Sequence, residues 1–172
     1  HITLYLSDKV CLPTKSYANK CLKIHPKLNS SMIVSPLVPP EDLSDYNSEI
    51  KNFYFNNENI QLKFDGLSII FIGSLMATAY DFEKVFFAIK KFKAKNTDKK
   101  IRVLICGNGP LFQKLEKQIF KNSLSKEIKL VGWVKRKEMC TLAKYSDVAI
   151  APYKNINNYK GHIPNKIIDY LQ

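Results

Sequence analysis

From residue 66 onward, apolar runs of strand length alternate with amphipathic stretches, and few folds accommodate this alternation. Four runs are rich in β-branched residues: Leu67–Ile72, Ile101–Cys106, Ile128–Val131 and Val148–Ala151. Strands that are apolar on both faces and alternate with helices form a parallel sheet with helices on both sides. The sequence therefore predicts a Rossmann-like α/β fold.

Helical spacing of apolar residues marks the stretches that follow these runs. The first stretch places five apolar side chains on one stripe: Phe82, Val85, Phe86, Ile89 and Phe92. Leu111, Leu115 and Ile119 form the stripe of the second, and Pro110 suits the first turn of that helix. The chain ends on a stripe that includes Ile163 and Ile167, with Pro164 expected to open this last helix.

The loops that follow the strands are expected to hold a ligand, because open parallel sheets bind ligands beyond the carboxyl ends of their strands. Four loops occupy these positions: Gly73-Ser74, Gly107–Pro110, Gly132–Val134 and Pro152–His162. Tyr153 and His162 fall within the last loop, where Tyr153 suits either a cleft wall or simple packing.

Gly107-Asn108-Gly109 invites comparison with the Gly-x-Gly-x-x-Gly fingerprint of dinucleotide-binding enzymes. Phe112 replaces the third glycine, and Gly132 stands where the ribose-binding acid would end the next strand. The pattern therefore favours a tight turn that avoids a backbone clash.

The helix that opens at Pro164 offers a second type of site. A helix N-terminus presents unpaired N–H groups and partial positive charge to a diphosphate, and Lys166 could add a full charge. Asp169, one turn further on, could accept hydrogen bonds from ribose hydroxyls. Each residue alone equally suits the polar face of an amphipathic helix.

The net charge narrows the classes of molecule that the protein can bind. The 172 residues carry 27 basic and 15 acidic side chains, a net charge of +12, which favours polyanionic partners. Lysines along Lys90–Lys100 are typical of a helix C-terminal end and lack interleaved stacking aromatics, so no nucleic acid is expected. Contact with an anionic membrane stays open.

Four cysteines without metal spacing predict buried, reduced thiols, no metal site and a cytoplasmic protein.

The first 65 residues have a different character. Ile2–Tyr5 is predicted as a strand and Ser16–Ile24 as a helix, and a polar stretch with little core of its own follows. The expected domains are residues 1–34, a linker over 35–65, and a main domain over 66–172. Because the chain starts at His1 and stops at Gln172 within a helical pattern, both ends are expected to be cut.

The ordered series of motifs resembles the C-terminal domain of family 4 glycosyltransferases with the GT-B fold. The resemblance covers roughly Leu67 to Gln172, and it rests on Gly73-Ser74-Leu75, Tyr80-Asp81-Phe82-Glu83, Gly107-Asn108-Gly109-Pro110, Gly132-Trp133-Val134, Ala151-Pro152-Tyr153, Ile163-Pro164-Asn165-Lys166 and Asp169-Tyr170-Leu171. Residues 1–34 resemble the end of the acceptor-side domain of that family.

The resemblance implies an incomplete GT-B C-terminal domain that binds a nucleoside diphosphate sugar. A retaining, metal-independent enzyme of polysaccharide or glycolipid synthesis is implied, without a cofactor and at the cytoplasmic or inner membrane face. The acceptor would be a saccharide or a lipid-linked saccharide. The implied donor-binding residues are Gly73, Ser74, Gly107, Gly109, Trp133, Val134, Tyr153, His162, Ile163, Pro164, Asn165, Lys166 and Asp169; no catalytic residue is assigned.

Three features depart from the pattern of this family. Ser74 and Ala79 stand where an Arg and a Lys commonly neutralise the diphosphate. Gly161 replaces a Glu, with His162 where Ser or Thr is usual, and Asp169 replaces the usual, longer Glu at the ribose position. These departures keep a second interpretation open, a non-catalytic or degenerate nucleotide-binding domain. The 172-residue chain alone is expected to be inactive.

Overall fold

The computed structural model describes residues 8–35, 52–55, 58–76, 79–156 and 164–170. The chain divides into two compact units, one of His1–Glu41 with Asn155–Gln172 and one of Asp42–Lys154. The predicted strand Ile2–Tyr5 lies outside the described residues.

The smaller unit contains a short parallel β-pair. Strand β1 (Val10–Leu12) pairs with β2 (Met32–Val34), and helix α1 (Lys15–Ile24) and a 3₁₀ helix (Pro26–Ser31) connect them. The Thr14 hydroxyl caps α1 by accepting a hydrogen bond from the Tyr17 N–H at 3.2 Å. Cys11 is exposed, so the prediction that the cysteines are buried is wrong for this residue. Side chains alternate between the two faces of a strand, and the neighbouring Val10 occupies the buried face.

An antiparallel hairpin opens the larger unit. Strand β3 (Asn52–Phe55) pairs with β4 (Glu58–Gln61), in a segment where the sequence pattern predicts a linker. Ile60 and Leu62 are buried. This part of the segment therefore contributes apolar side chains to a core.

The main sheet of the larger unit contains four parallel strands in the order β7-β6-β5-β8. Their bounds are Leu67–Ile72 for β5, Ile101–Cys106 for β6, Ile128–Gly132 for β7 and Val148–Ala149 for β8. All six residues of β6 are buried, as expected for a strand covered on both faces. The predicted α/β architecture with a parallel sheet is confirmed.

Strand β8 is shorter than its apolar run. The Ile150 N–H still donates to the Ile70 carbonyl at 2.8 Å, after which the chain turns so that the Tyr153 N–H reaches the Ala151 carbonyl at 2.8 Å. Pro152 has no N–H to continue the ladder. The predicted strand end at Ala151 is therefore too late.

Helices α2 (Phe82–Lys95) and α3 (Phe112–Lys121) lie side by side, with α4 (Arg136–Lys144) following β7. The Lys90 Nζ atom donates to Asn122 Oδ1 at 2.7 Å, and Gln118 Nε2 lies 3.4 Å from Glu83 Oε1. The predicted stripe of α2 is correct, since Phe82, Phe86 and Ile89 are buried. Helix α3 begins later than predicted, at Phe112, because residues 109–111 form a turn in which the Phe112 N–H donates to the Gly109 carbonyl at 3.0 Å.

A buried arginine stabilises the opposite, amino-terminal edge of the sheet. The Arg102 guanidinium donates to the carbonyls of Gln61 and Leu62 and to the Ser68 hydroxyl. Its Cζ atom lies 4.7 Å from the centre of the Phe64 ring. Burial lowers the pKa of Arg102, and the charge of Asp147 partly opposes this shift. The cation thus fastens the segment after β4 onto β6.

Helix α5 (Asn165–Tyr170) belongs to the smaller unit. It begins directly after Pro164, as predicted, and the Ile167 N–H donates to the Pro164 carbonyl at 2.9 Å. Within the described ranges, no helix is both long and apolar enough to cross a membrane.

Candidate functional site

The loops after β5 and β6 are joined at the carboxyl edge of the sheet by main-chain hydrogen bonds. The Gly73 N–H donates to the Cys106 carbonyl and the Leu75 N–H donates to the Asn108 carbonyl, both at 2.9 Å. The Leu75 carbonyl accepts from the Leu111 N–H at 3.0 Å. Both loops therefore hold a fixed shape relative to one another.

Gly107 and Gly109 permit this close approach. A Cβ atom on Gly107 would lie 1.9 Å from the Gly73 carbonyl oxygen, and one on Gly109 would lie 2.7 Å from the Leu75 carbonyl oxygen. Both glycines also have φ near +150°, which side chains disfavour. The interpretation of this motif as a tight turn without room for side chains is confirmed.

The loop after β7 is attached to the same cluster. The Gly107 N–H donates to the Gly132 carbonyl at 2.6 Å. Trp133, the next residue, has 65% of its surface exposed, and Val134 is half-buried. An exposed indole beside a glycine-rich edge presents a flat apolar face on which a planar ring can stack.

The loop after β8 is fastened to the loop after β5 by a short antiparallel contact. The Asp81 N–H donates to the Pro152 carbonyl at 2.8 Å, and the Lys154 N–H donates to the Ala79 carbonyl at 2.9 Å. Between these bonds, the rings of Tyr80 and Tyr153 lie 5.0 Å apart. We call this pairing of residues 79–81 with 152–154 the tyrosine clasp.

Tyr80 anchors the clasp in the core, although the sequence assigned it no role in the site. It is buried, and its ring packs edge-on against Phe71 at 4.9 Å and near Phe82 at 5.9 Å. One feature of the sequence could have indicated this role: Tyr80 lies two residues before helix α2, next to Asp81. The Asp81 carboxylate caps α2 by accepting a hydrogen bond from the Lys84 N–H. Tyr80 thereby couples the apolar core to the position of Tyr153.

The larger unit thus brings together seven of the thirteen residues assigned to donor binding by sequence. These are Gly73, Ser74, Gly107, Gly109, Trp133, Val134 and Tyr153. Ser74 is exposed at this edge, and Ala79, which replaces a common lysine, is buried. The loop after β5 therefore contributes the Ser74 hydroxyl rather than a cation.

The other six assigned residues belong to the smaller unit. His162 and Ile163 lie outside the described residues, as do the side chains of Asn165 and Asp169. Pro164 is half-buried. Lys166 is 8% exposed, and burial lowers its pKa from 10.5 to about 8. A lysine with such a pKa loses its proton at about pH 8. An anionic ligand beside it would stabilise the charged ammonium form.

Metal ligands do not gather in the described part of the chain. Among those residues, no group of three or more His, Cys, Asp or Glu side chains could hold a metal ion. Cys106 is buried at the end of β6, and burial raises the pKa of its thiol to about 12. This cysteine is therefore an apolar core residue at neutral pH.

Comparison with known proteins identifies the family. The family model described as "Glycosyl transferases group 1" matches residues 55–168. The chain belongs to this family. No curated protein sequence matches the chain.

Among solved structures, this chain is similar to TarM of S. aureus. That structure is a mutant of TarM in complex with Fondaparinux, alpha-GlcNAc-glycerol and UDP. The TM-score is 0.58 at 11% sequence identity, and the match covers 83% of this chain and 24% of the TarM chain. The likeness confirms the predicted GT-B type of fold. The matched part spans about a quarter of the length of the TarM chain.

Proposed function

We propose that the protein containing this chain transfers a sugar from a nucleoside diphosphate sugar to an acceptor hydroxyl. Membership of the group 1 glycosyltransferases supports the reaction class. The observation that carries the proposal is the interlocked cluster of glycine-rich loops at the carboxyl edge of the sheet. Ligands of open parallel sheets bind at this edge.

Each donor group has a proposed partner. Gly73 and the Ser74 hydroxyl would lie beside the phosphates, and Trp133 with Val134 would lie beside the nucleobase. The start of α5, with Ile163, Pro164, Asn165 and Lys166, would hold the diphosphate, and Asp169 would bind the ribose. Tyr153 and His162 are proposed as further residues that contact the donor.

Charge stabilisation of the departing diphosphate would drive the reaction. As the bond from the sugar to the diphosphate breaks, negative charge grows on the phosphate oxygens. N–H groups and the Lys166 ammonium, fixed in advance, would stabilise that charge more than the ground state. We propose that transfer is metal-independent and retains the anomeric configuration, as in family 4. No side chain is assigned as nucleophile or base.

The acceptor is proposed to be a saccharide or a lipid-linked saccharide, in polysaccharide or glycolipid synthesis at the cytoplasmic side. The ligands of the TarM structure include UDP and a glycosylated glycerol, which supports a nucleotide and a hydroxyl-rich acceptor as partners. No bound cofactor is required by this scheme.

A second function, nucleotide binding without catalysis, is favoured by one observation. Exposed Ser74 and buried Ala79 provide no cation in the loop after β5. A degenerate domain would keep affinity for the nucleotide and lack transfer.

The test combines binding and turnover on the full-length protein. Ligand-observed NMR with UDP, GDP, ADP and NAD should show saturable binding of one nucleoside diphosphate. Asp169→Ala should weaken that binding, whereas Asp98→Ala, in the exposed turn after α2, should not. Sugar transfer that is lost in Lys166→Ala supports the transferase, and nucleotide binding without transfer supports the degenerate domain. Absence of nucleotide binding would contradict both.

A further inference from the structure

Two neighbouring helices of the larger unit present a strongly basic surface that donor binding does not use. Its lysines are all exposed: Lys90, Lys91 and Lys95 on α2, and Lys114, Lys117 and Lys121 on α3. The contacts of Lys90 with Asn122 and of Glu83 with Gln118 hold the two helices side by side. We call this set of six residues the lysine face.

The charges of the lysine face are not neutralised by carboxylates. Other lysines of this unit form ion pairs, namely Lys84 with Asp81, Lys93 with Glu127 and Lys100 with Asp65. Among the described residues, none of the six face lysines has an ion-pair partner, and Lys90 donates to an amide oxygen instead. The surface therefore carries six lysine charges without ion-pair partners, of which the Glu83 carboxylate beside Gln118 offsets about one.

Helix stability does not account for this arrangement. Lysine is favoured in the last turn of a helix, which suits Lys95 and Lys121. Lys114, however, lies in the first turn of α3, which has no acidic residue and where positive charge is unfavourable. Lys91 and Lys95 also repel each other at a spacing of four residues. A partner with negative charge would offset both costs.

An exposed aromatic residue accompanies the charges. Phe87 has 68% of its surface exposed and lies one helical turn before Lys90 and Lys91. A large apolar side chain within a basic helical surface is the combination by which peripheral proteins bind the interface of an anionic membrane. Lysine ammonium groups attract the phosphates, and the ring enters the boundary between headgroups and acyl chains.

We propose that the lysine face docks the protein on a membrane that carries anionic phospholipids. The outward sides of two neighbouring helices form one basic surface, on which several headgroups can be bound at once. The six cations are lysines, without the bidentate guanidinium that reads base edges. These two helices expose two aromatic residues, Phe87 on α2 and Phe120 on α3, whereas single-stranded nucleic acids stack on a longer series of aromatic side chains. The proposal does not depend on the transfer reaction.

Sedimentation of the protein with lipid vesicles tests the proposal. Vesicles of phosphatidylcholine with added phosphatidylglycerol should bind the protein, with an affinity that falls as salt rises, and phosphatidylcholine alone should not. Each lysine near an anionic surface contributes about a fivefold factor. The triple variant Lys114→Gln, Lys117→Gln, Lys121→Gln should therefore lose roughly 100-fold in affinity. The same positions changed to arginine should retain binding.

A control variant removes three positive charges from the smaller unit and leaves the lysine face intact. Lys15, Lys23 and Lys27 are exposed on the smaller unit, and their replacement by glutamine should leave vesicle binding within about threefold of the original protein. Phe87→Ser should weaken binding without changing its salt dependence. Equal losses in both triple variants would overturn the assignment of this face. Tighter binding to an oligonucleotide than to the vesicles, through the same lysines, would overturn the membrane as partner.

Discussion

The carbonyl oxygen of Gly73 occupies the space that a side chain on Gly107 would need. A Cβ atom there would lie 1.9 Å from that oxygen, far inside the contact distance of two unbonded atoms. The contact lies where the loops after β5 and β6 meet, and the Gly73 N–H is bonded to the neighbouring Cys106 carbonyl. The two loops can therefore approach only because residue 107 is glycine.

Substitution of Gly107 by alanine should separate these loops. The clash is with main chain, which cannot rotate away, and φ at residue 107 is +149°. We expect the free energy of unfolding to fall by at least about 2 kcal/mol. Urea denaturation measures this change, and Ser74→Ala in the same edge cluster should shift it by less than about 0.5 kcal/mol. An unchanged midpoint in Gly107→Ala would show that the loops are not packed as described.

The tyrosine clasp should open when Tyr80 loses its ring. Tyr80→Ala removes a buried aromatic side chain that contacts Phe71 and Phe82, at a cost of about 3 kcal/mol. Hydrogen exchange of the Asp81 and Lys154 amides should accelerate more than that of amides in β6, because those two N–H groups close the clasp. Tyr80→Phe, which keeps the ring, should leave both amides protected. Uniform acceleration over the whole sheet would mean that Tyr80 stabilises the core without a local role.

The apolar runs of the sequence predicted the strands of the main sheet, and they gave β5 and β6 with their observed ends. Polar residues and glycines mark both limits of each run: Asp65-Gly66 and Gly73 for β5, and Lys99-Lys100 and Gly107 for β6. The β3–β4 hairpin was not predicted, since its sequence lacks a continuous apolar run. The buried contacts of Arg102 could not be predicted either, because its partners are main-chain carbonyls about forty residues away in sequence.

The candidate site was only partly accessible to the same reasoning. Parallel strands place their carboxyl ends at one edge, so the alternation alone predicted which loops would meet. The contact of Tyr80 with Tyr153 depends on how the chain turns after Ile150, which no local pattern encodes. The roles of individual residues toward a donor came from family resemblance, and they stay predictions.

Thiol reactivity should distinguish the cysteines by their surroundings. Cys106 is buried and its pKa is raised to about 12, so almost none of it is thiolate at pH 8. Cys11 is exposed. Alkylation at pH 8 followed by mass spectrometry should label Cys11 within minutes and Cys106 only after denaturant is added. Comparable labelling of the two residues in the native chain would contradict the burial of β6.

Lys166 should make both stability and anion binding depend on pH. Its pKa is lowered from 10.5 to about 8 by burial, so the unfolded chain binds more protons between these two values. The free energy of unfolding should therefore rise with pH from about 8 to 10.5, and this term should be constant below that window. A bound diphosphate would favour the charged ammonium, so its affinity should fall as pH rises through about 8.

Titration of the full-length protein with UDP and GDP at pH 7 and pH 9 measures the effect on binding. The nucleotide that binds should lose affinity several-fold at the higher pH, because the neutral amine no longer attracts the phosphates. Lys166→Arg keeps its charge at both values and should bind with little pH dependence. Lys166→Gln should bind weakly at both. If the glutamine variant shows the same loss between pH 7 and pH 9 as the original protein, another group controls the titration, and the start of α5 does not hold the diphosphate through Lys166.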